Sequence, residues 1–470
     1  MDRRSFLRTS ATGVAAAAVA PSILSSCTSS RQVKPRVPKG DKVNIAFIGI
    51  GNRGNEDIKC FLKTNLCNPV ALCDVDMGAD ATREVIEMFP DLPRFTDFRE
   101  MFAKMAGKID AVLVATPDFS HFAICMAAMK LGIHVYVEKP LANTFYENEL
   151  LMASEKKYGV VTQMGNQGHS EANYFQFKAW KEAGIIKDVT AITAHMNNSR
   201  RWHSWNPAMT GYPEEEAPDT MNWDVWLGPA HYHGYHHDFH NGQWRCWFEH
   251  GMGALGDWGA HLIDTAHEFL ELGLPTEIDP IYLKDRNQFF YPMSSTIKFH
   301  FPERKDMPAC DITWYDGLDN IPEVPEGYGQ LELDPNIPTV AGGKIQPAKL
   351  NPGKEIYSRT LTFKGGSHGS TLSIIPESAA EGINFPEVPE SPSNHYENFL
   401  LAVLGKEKTR SPFSVSAPLS QVFCLGIIAQ WTGRKLIFDP ETKRIVNDPA
   451  ANQLLWGGVP REGWEEFFEI

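Results

Sequence analysis

A glycine-rich turn near residue 50 constrains the fold more than any other feature of the sequence. The apolar run VNIAFIGI (residues 43–50) predicts a buried strand, and EDIKCFLKT (residues 56–64) predicts an amphipathic helix. Between them, Gly49, Gly51 and Gly54 have the spacing GxGxxG. In this position the first glycine permits a tight turn, the second lets the backbone approach a pyrophosphate, and the third lets helix pack on strand. The turn therefore predicts a dinucleotide-binding loop.

A second predicted strand, PVALCDV (residues 69–75), carries an acidic residue toward the same loop. Asp74 lies twenty residues beyond Gly54, the separation at which a carboxylate hydrogen-bonds the ribose hydroxyls of adenosine. A carboxylate there repels a 2′-phosphate, so the sequence favours NAD over NADP. The alternative is a glycine turn in a fold that binds no dinucleotide.

Strands and helices alternate through the first third of the chain. IDAVLVAT (residues 109–116) and HVYVEKP (residues 134–140) predict two more strands, and ATREVIEMF (residues 81–89) and FAICMAAMKLG (residues 122–132) predict helices. Alternation at this spacing predicts a parallel, doubly wound α/β sheet with helices on both faces.

The pattern changes after about residue 165. The predicted elements of this part are polar, aromatic-rich loops (197–250), one helix (253–271), strands STIKFHFPE (295–303) and RTLTFKGG (359–366), excursions rich in Pro, Gly and Glu (318–356 and 376–393) and two final helices (394–405 and 420–433). We expect a C-terminal α+β domain with a large open antiparallel sheet, which could pair with a second copy of the chain in a homo-oligomer.

The N-terminus has the composition of an export signal. Arg3 and Arg4 precede a weakly apolar, Ala-rich run (residues 11–24), and Leu-Ser-Ser follows directly before Cys27. The paired arginines resemble the twin-arginine signal for bacterial export of folded proteins, and Leu-Ser-Ser-Cys resembles a lipobox whose cysteine is lipidated. We expect an exported, periplasmic or membrane-anchored lipoprotein. The alternative is a disordered, Ala/Ser-rich N-terminus.

These patterns divide the chain into four predicted parts. They are a signal peptide (1–26), a polar linker (27–41), a Rossmann domain that binds NAD (42–165) and a substrate-binding α+β domain (166–470) whose last helices pack back on the Rossmann domain.

Net charge and cysteine pattern argue against three classes of protein. The formal charge of -14 argues against a nucleic-acid partner, because phosphate binding needs clustered Lys and Arg. The cysteines after Cys27 are scattered, without a CxxC pair, which argues against a disulfide framework and a thiolate zinc site.

Polar residues at strand ends and on one helix are candidates for chemistry. ATPDFSH (residues 115–121) follows the third predicted strand and EKP (residues 138–140) the fourth, at the sheet edge where such folds bind ligands. On the predicted helix 253–271, Asp257, His261 and Asp264 share one face. His261 titrates near neutrality, and Asp257 one turn away can orient it. The alternatives are a surface turn for EKP and a solvated polar stripe for the helix.

Taken together, these motifs resemble the Gfo/Idh/MocA oxidoreductase family. The resemblance is carried by GIGNRG (residues 49–54), Asp74, ATPDFSH, VEKP (residues 137–140) and the DxxxH pair Asp257 and His261. In addition, GNQ (residues 165–167) and NWDVWLGP (residues 222–229) resemble the exported bacterial branch that acts on carbohydrates.

The resemblance implies an active site between the two domains. Lys139, Asp257 and His261 are then catalytic: His261 as general base on a sugar hydroxyl, Lys139 polarising that oxygen and Asp257 orienting the group. Family members differ on whether the lysine or the histidine takes the proton. The expected cofactor-binding residues are Gly49, Gly51, Asn52, Arg53, Gly54, Asp74, Thr116, Pro117, His121, Glu138 and Asn166.

Aromatic and arginine side chains in the polar loops suggest a carbohydrate pocket. Trp244 and Arg245 are the expected substrate-binding residues there, with Asp264 from the helix, because aromatic faces stack on sugar C–H surfaces and Arg bonds hydroxyls. The alternative is that most of these rings pack the core beneath the loops. Five histidines between residues 231 and 240 fit no standard zinc spacing, so we expect no metal.

Export would require the cofactor to travel with the protein. NAD must then be tightly bound and restored within each cycle, by coupled oxidation and reduction of two sugars, by oxidation and re-reduction of one, or by transient oxidation followed by elimination. We expect an NAD-dependent oxidoreductase that transfers a hydride between a sugar hydroxyl and bound nicotinamide. Two alternatives remain, an NAD-dependent glycosidase and a non-catalytic sugar-binding lipoprotein.

Overall fold

The computed structural model describes residues 33–197, 208–240, 242–328 and 350–470. The predicted export signal and Cys27 lie outside the described residues, as do residues 198–207 of the polar loops and much of the predicted excursion 318–356.

The first half of the described chain is built on a six-stranded parallel sheet of order β3-β2-β1-β4-β5-β6. Its strands are β1 (Val43–Ile48), β2 (Cys67–Cys73), β3 (Arg94–Phe95), β4 (Ala111–Val114), β5 (His134–Val137) and β6 (Thr162–Met164). Its helices are α1 (Arg53–Lys63), α2 (Asp80–Met88), α3 (Phe98–Met105), α4 (His121–Lys130) and α5 (Phe145–Tyr158). Strands β4 and β5 are buried along their whole length, as expected from the apolar run of β4 and from that of β5 after His134. The predicted doubly wound sheet is confirmed.

The second half contains a nine-stranded sheet of order β13-β12-β11-β7-β10-β9-β8-β14-β15. Its strands are β7 (Val189–Met196), β8 (Glu277–Lys284), β9 (Ser294–Phe301), β10 (Cys310–Asp316), β11 (Gly353–Ser358), β12 (Thr362–Gly365), β13 (Leu372–Ile375), β14 (Leu436–Asp439) and β15 (Arg444–Ile445). The sheet is mixed and not purely antiparallel, because β7 and β10 pair in parallel. The connection between them includes helices, as parallel pairing requires.

The helices of the second half cover the sheet and carry part of the cavity described below. They are α6 (Ala172–Glu182), α7 (Trp223–Leu227), α8 (His237–His240), α9 (Gly253–Leu262), α10 (Asp264–Phe269), α11 (His395–Val403), α12 (Phe413–Thr432) and α13 (Pro449–Leu454). Helix α12 is long and apolar enough to cross a membrane by composition, but 83% of its apolar window is buried inside the protein. It is a core helix. Its Gln421 bonds Glu149 of α5 at 2.5 Å, so the C-terminal helices contact the parallel-sheet half.

The single helix predicted over residues 253–271 is instead two helices that meet at Ile263. In a continuous helix the Thr265 N–H would bond the His261 carbonyl. Here the Thr265 N–H donates to the Asp264 carboxylate at 2.7 Å, and the His261 carbonyl accepts from the His368 N–H at 3.2 Å. An aspartate that bonds nearby backbone competes with the helix in this way.

Strand β11 was missed because two of its buried residues are charged. It begins inside the segment 318–356, which the sequence predicted as an excursion, and ends at Ser358. Lys354 and Glu355 of this strand are buried, and Glu355 Oε1 lies 3.0 Å from His195 Nε2 on the neighbouring strand. Apolar alternation cannot identify a strand whose buried partners are ionisable.

Candidate active site

The glycine loop between β1 and α1 has no room for larger residues at two positions. Gly49 has φ of 79°, and a Cβ there would lie 2.6 Å from the carbonyl oxygen of Ala115. A Cβ at Gly54 would overlap the carbonyl oxygen of Gly49. These two glycines therefore have the turn and packing roles expected of them.

Asp74 follows directly after β2 and is bonded to the glycine loop. Its carboxylate accepts hydrogen bonds from the backbone N–H of Ile50 at 2.9 Å and of Asp76 at 3.0 Å. The acid is thus fixed beside the loop, with both oxygens oriented by backbone donors.

A cavity of about 1380 Å³ lies between the carboxyl ends of the parallel strands and the second half of the chain. Ligand pockets typically measure roughly 300–1,000 Å³, so there is room for a dinucleotide and a small substrate together. The predicted residues that line the cavity are Gly49, Gly51, Asn52, Arg53, Asp74, Thr116, Pro117, Glu138, Lys139, Trp244, Arg245, Asp257 and His261. The loop, the fixed acid and the cavity fit a nicotinamide dinucleotide.

Lys139, after β5, is paired with Asp257 on α9. Its Nζ lies 2.6 Å from Asp257 Oδ1 and donates to the Asp257 carbonyl at 2.8 Å. Arg245 Nε lies 3.6 Å from the same carboxylate oxygen. Burial lowers the pKa of Lys139 below its ordinary value, and the charge of Asp257 opposes that shift. The ion pair joins the two halves of the protein across the cavity.

His261 lies one turn beyond Asp257 and is 6% exposed. Its ring stacks on His368 with centroids 3.8 Å apart and an angle of 20°. Burial, together with His368 and the charge of Lys139, lowers the pKa of His261 well below its usual range. The imidazole is therefore neutral at pH 7. Its Nδ1 has no hydrogen-bond partner among the described residues, and Asp257 instead pairs with Lys139.

Asp118 lies in the same cavity and was not among the predicted site residues. It is 3% exposed and accepts the Met252 N–H at 3.0 Å. Burial raises the pKa of Asp118 to about 7, although the charge of Arg245 opposes the shift. Asp118 lies within ATPDFSH, and its position after the end of a parallel strand was the feature of the sequence that could have identified it as a site residue.

Arg53 connects the glycine loop to two other parts of the cavity wall. Its guanidinium lies 2.7 Å from Asp57 and 3.4 Å from Glu138, and it donates to the Tyr396 hydroxyl at 2.7 Å. Tyr396, on α11, was not predicted. Nothing in the sequence near Tyr396 indicates its position, since it lies 343 residues from Arg53.

Four predicted residues do not line the cavity: Gly54, His121, Asn166 and Asp264. Both ring nitrogens of His121 lie 2.9 Å from backbone carbonyl oxygens, those of Thr116 and Pro140, so it joins the loops after β4 and β5.

Asp264 and Asn166 belong instead to a buried charged cluster. His169 Nδ1 lies 2.8 Å from Asp264 and its Nε2 lies 2.7 Å from Glu268. Asn166 Nδ2 lies 2.9 Å from His169 Nδ1 and donates to the Asp264 carboxylate at 3.4 Å. Burial alone would lower the pKa of His169, but hydrogen bonds to Asp264 and Glu268 raise it to about 9. The helix face predicted as one stripe is split by the break at Ile263.

Two stretches of the chain match models of one protein family. Residues 43–166 match the oxidoreductase family with an NAD-binding Rossmann fold (Gfo/Idh/MocA), and residues 176–279 match the C-terminal alpha/beta domain of the same family. The chain belongs to the Gfo/Idh/MocA oxidoreductase family.

Curated relatives of this Gfo/Idh/MocA chain include glycosyl hydrolase family 109 proteins. The one from Shewanella sp. (strain ANA-3), named protein 2, is 29% identical over 244 residues, which cover 42% of this chain and 52% of the relative. Protein 1 of that family from Akkermansia muciniphila is 30% identical over 33% of each chain. These alignments span at most about half of the relatives' length.

Solved structures share the fold at low sequence identity. Aldose-aldose oxidoreductase from Caulobacter crescentus, complexed with glycerol, has a TM-score of 0.54 at 14% identity, over 84% of this chain and 100% of that one. The WlbA dehydrogenase from Bordetella pertussis, in complex with NADH and UDP-GlcNAcA, has a TM-score of 0.54 at 14% identity, over 85% and 99%.

Most aromatic rings of the polar loops in this family member pack together. Trp223, Trp226, Trp244, Trp247 and Phe239 are buried in one cluster. Within it, Trp226 and Trp244 also line the cavity, and the Arg245 guanidinium lies 4.1 Å above the Trp244 ring. Most of these rings therefore pack the core beneath the loops, and two of them also face the cavity.

One group of potential metal ligands occurs among the described residues, at Glu215, His236 and His237, with donor atoms within 4.8 Å of one another. Glu215 Oε1 lies 2.8 Å from His237 Nδ1 and accepts the His237 N–H at 2.6 Å. His236 Nδ1 accepts the Asp238 N–H at 3.3 Å. The atoms that could bind a metal are thus already engaged in hydrogen bonds. The absence of a metal stays a prediction.

Proposed function

We propose that this protein is an NAD-dependent carbohydrate oxidoreductase that transfers a hydride between a sugar secondary hydroxyl and a tightly bound nicotinamide cofactor. One observation carries the proposal. A neutral imidazole, His261, and a buried ammonium, Lys139, line the same cavity as a glycine loop and an acid suited to a dinucleotide. The WlbA dehydrogenase, crystallised with NADH and a sugar nucleotide, supports the same combination of ligands.

The side chains divide the proton chemistry of such a reaction. Bound in the cavity, the nicotinamide ring would supply the hydride acceptor or donor. His261 accepts the hydroxyl proton, because its pKa is lowered and its imidazole is neutral. Lys139, held by Asp257, donates a hydrogen bond to the same sugar oxygen and stabilises its developing negative charge. Trp244 contacts the C–H surface of the sugar, and Arg245 and Asp118 bind its hydroxyls.

The residues proposed to hold NAD are those of the glycine loop and the strand ends that line the cavity. Gly51, Asn52 and Arg53 surround the pyrophosphate, Asp74 bonds the adenosine ribose, and Thr116, Pro117 and Glu138 lie along the rest of the dinucleotide. His121 supports this wall from behind through the carbonyl oxygens of Thr116 and Pro140.

Asp74→Asn is expected to reduce discrimination against NADP. The amide removes the negative charge that repels a 2′-phosphate and keeps an acceptor for the Ile50 N–H. We expect the ratio of NADP to NAD dissociation constants to fall about 10-fold or more, a change of ~1.4 kcal/mol, in fluorescence titrations with the reduced cofactors. Asp91→Asn, at an exposed position, is the control and should leave the ratio unchanged. An unchanged ratio in Asp74→Asn would remove Asp74 from the ribose site.

A glycosidase is the second candidate, favoured by the names of the curated relatives. In this scheme one sugar hydroxyl is oxidised to a ketone, the neighbouring C–H becomes acidic and loses its proton, and the glycosidic bond breaks by elimination. Addition of water and return of the hydride then leave no net change in NAD.

Incubation with a nitrophenyl glycoside distinguishes the two candidates. The oxidoreductase proposal expects a keto-sugar or a second, reduced sugar, with no stoichiometric nitrophenol. Nitrophenol released without net NADH would establish the glycosidase instead. A purified protein that contains no NAD and changes no sugar would favour the third reading, a non-catalytic sugar-binding lipoprotein.

We also propose export and self-association. The N-terminal sequence supports a twin-arginine signal with lipidation at Cys27, and the mass of the mature native protein would report both. The open nine-stranded sheet, with exposed Ile281 and Tyr282 on β8, supports a homo-oligomer, whose mass light scattering would measure.

A further inference from the structure

The C-terminal segment (residues 461–468) reaches the cavity at the end marked by Asp74. Trp464 is 2% exposed and lines the cavity together with Thr96 and Phe98, which follow β3. Its ring centroid lies 5.9 Å from that of Phe98, and the Arg99 guanidinium lies 4.4 Å from the ring. A residue from the end of the chain thus forms part of the cavity wall beside the parallel sheet.

A loop from the second half of the chain (residues 218–229, which includes the short helix α7) covers the same end of the cavity. The Asn222 N–H donates to the Val75 carbonyl at 2.8 Å, and Met221 forms an antiparallel bridge with Asp76. Val75 and Asp76 directly follow Asp74. The loop is therefore bonded to the backbone next to the acid proposed to bind ribose.

Arg461 fastens the C-terminal segment to this loop. Its guanidinium lies 2.6 Å from the Asp224 carboxylate and donates to the Gly228 carbonyl at 3.1 Å, and its backbone N–H donates to the Pro229 carbonyl at 3.1 Å. The other end of the segment is anchored in the parallel-sheet half, where the ring centroids of Phe468 and Phe122 lie 4.7 Å apart.

We infer that loop 218–229 and the C-terminal segment form the outer wall of the adenosine subsite, with Trp464 contacting the adenosine moiety of the dinucleotide. The inference rests on the proposed function. Asp74 and Trp464 line the same cavity, and Trp464 is 2% exposed with Arg99 over its ring, so it contributes the edge of its ring to the wall. Because the wall is hydrogen-bonded at Val75, Asp224 and Gly228, it slows release of the cofactor past this end of the cavity. The segment thereby retains NAD between turnovers.

The test compares two tryptophans of the same C-terminal region. Trp464→Ala should raise the rate of NADH dissociation about 10-fold or more, measured by fluorescence during dilution, and should lower the amount of NAD that co-purifies. Trp464→Phe should restore most of the retention. Trp456→Ala is the control. Trp456 is 42% exposed and does not line the cavity, and its ring centroid lies 4.2 Å from that of Tyr146.

Arg461→Gln tests the bonds between the C-terminal segment and loop 218–229 while keeping the Trp464 ring. It should also accelerate NADH release, whereas a purely structural role for Trp464 would lower thermal stability and leave the release rate of the folded protein unchanged. Equal release rates in Trp464→Ala, Trp456→Ala and wild type would overturn the inference. A wild-type protein that binds no NADH at all would overturn the proposed function, so the two failures are distinguishable.

Discussion

His261→Gln is expected to lower kcat by roughly 10²–10⁴-fold, the usual contribution of a general base, while the protein retains its bound NAD. Glutamine approximates the size of the imidazole and cannot accept a proton at neutral pH. His261 is buried, its Nδ1 has no hydrogen-bond partner in the described part of the chain, and its pKa is lowered. The measurement is single-turnover sugar oxidation followed by NADH absorbance.

The pH profile separates His261 from its neighbours. Since the His261 pKa is lowered, its imidazole stays neutral as pH falls through 6.5. Loss of this proton acceptor should therefore give an acid limb at more acidic pH, separate from any change near pH 7. This acid limb should disappear in His261→Gln. Asp118, with a pKa raised to about 7, titrates in the neutral range, so Asp118→Asn should change the profile near pH 7 and keep the acid limb.

His267→Gln is the matched control for this experiment. His267 is also 6% exposed and lies on the next helix, but it bonds the Gly273 carbonyl at 2.9 Å and does not line the cavity. Its kcat should stay close to that of wild type. If His261→Gln kept wild-type activity and the same acid limb, Lys139 would be the base.

Gly54→Ala is expected to abolish NAD binding and to destabilise the protein by about 3 kcal/mol or more, at or above the top of the usual range for overpacked cores. The new methyl group would overlap the carbonyl oxygen of Gly49, and backbone on both sides must move to accommodate it. The readouts are the free energy of unfolding from denaturant titration and the NAD content of the purified protein.

Two other glycines serve as controls for Gly54→Ala. Gly107→Ala places its Cβ in open space and should change the free energy of unfolding by less than about 0.5 kcal/mol. Gly51→Ala places its Cβ 3.1 Å from the Ala81 side chain, on the cavity wall. It should weaken NAD binding with a small effect on stability. A Gly54→Ala protein that folds and binds NAD like wild type would contradict the close packing of α1 on the loop.

The four central strands of the parallel sheet were predictable because their signals are local, whereas the short outer strands β3 and β6 were not predicted. The apolar runs, the glycine spacing and Asp74 all lie within a short stretch, and each element has one dominant physical cause. The second half carries weaker signals. Strand β11 buries Lys354 and Glu355, and the break at Ile263 depends on a bond between His261 and His368, more than 100 residues apart in the sequence.

The site residues follow the same division. Lys139, Asp257 and His261 could be predicted from motifs, whereas Tyr396 and Trp464 line the cavity through long-range packing that a single sequence does not reveal. Asp264 illustrates the opposite error. It shares a helical spacing with His261, but a two-helix geometry turns it toward His169 and away from the cavity.

Helix α9 is closely packed except where Asp257 and His261 line the cavity, and every residue from Gly253 to Leu262 is buried. A Cβ at Gly253 would meet Tyr291 at 2.8 Å, and one at Gly259 would meet Phe423 at 2.6 Å. His261, proposed as the base, and Asp257 are consequently mounted on a tightly packed helix that has little room to shift. If the proposed role is correct, a change of substrate in this protein would have to come from the residues around the helix, such as Arg245 or His368, which line the same cavity.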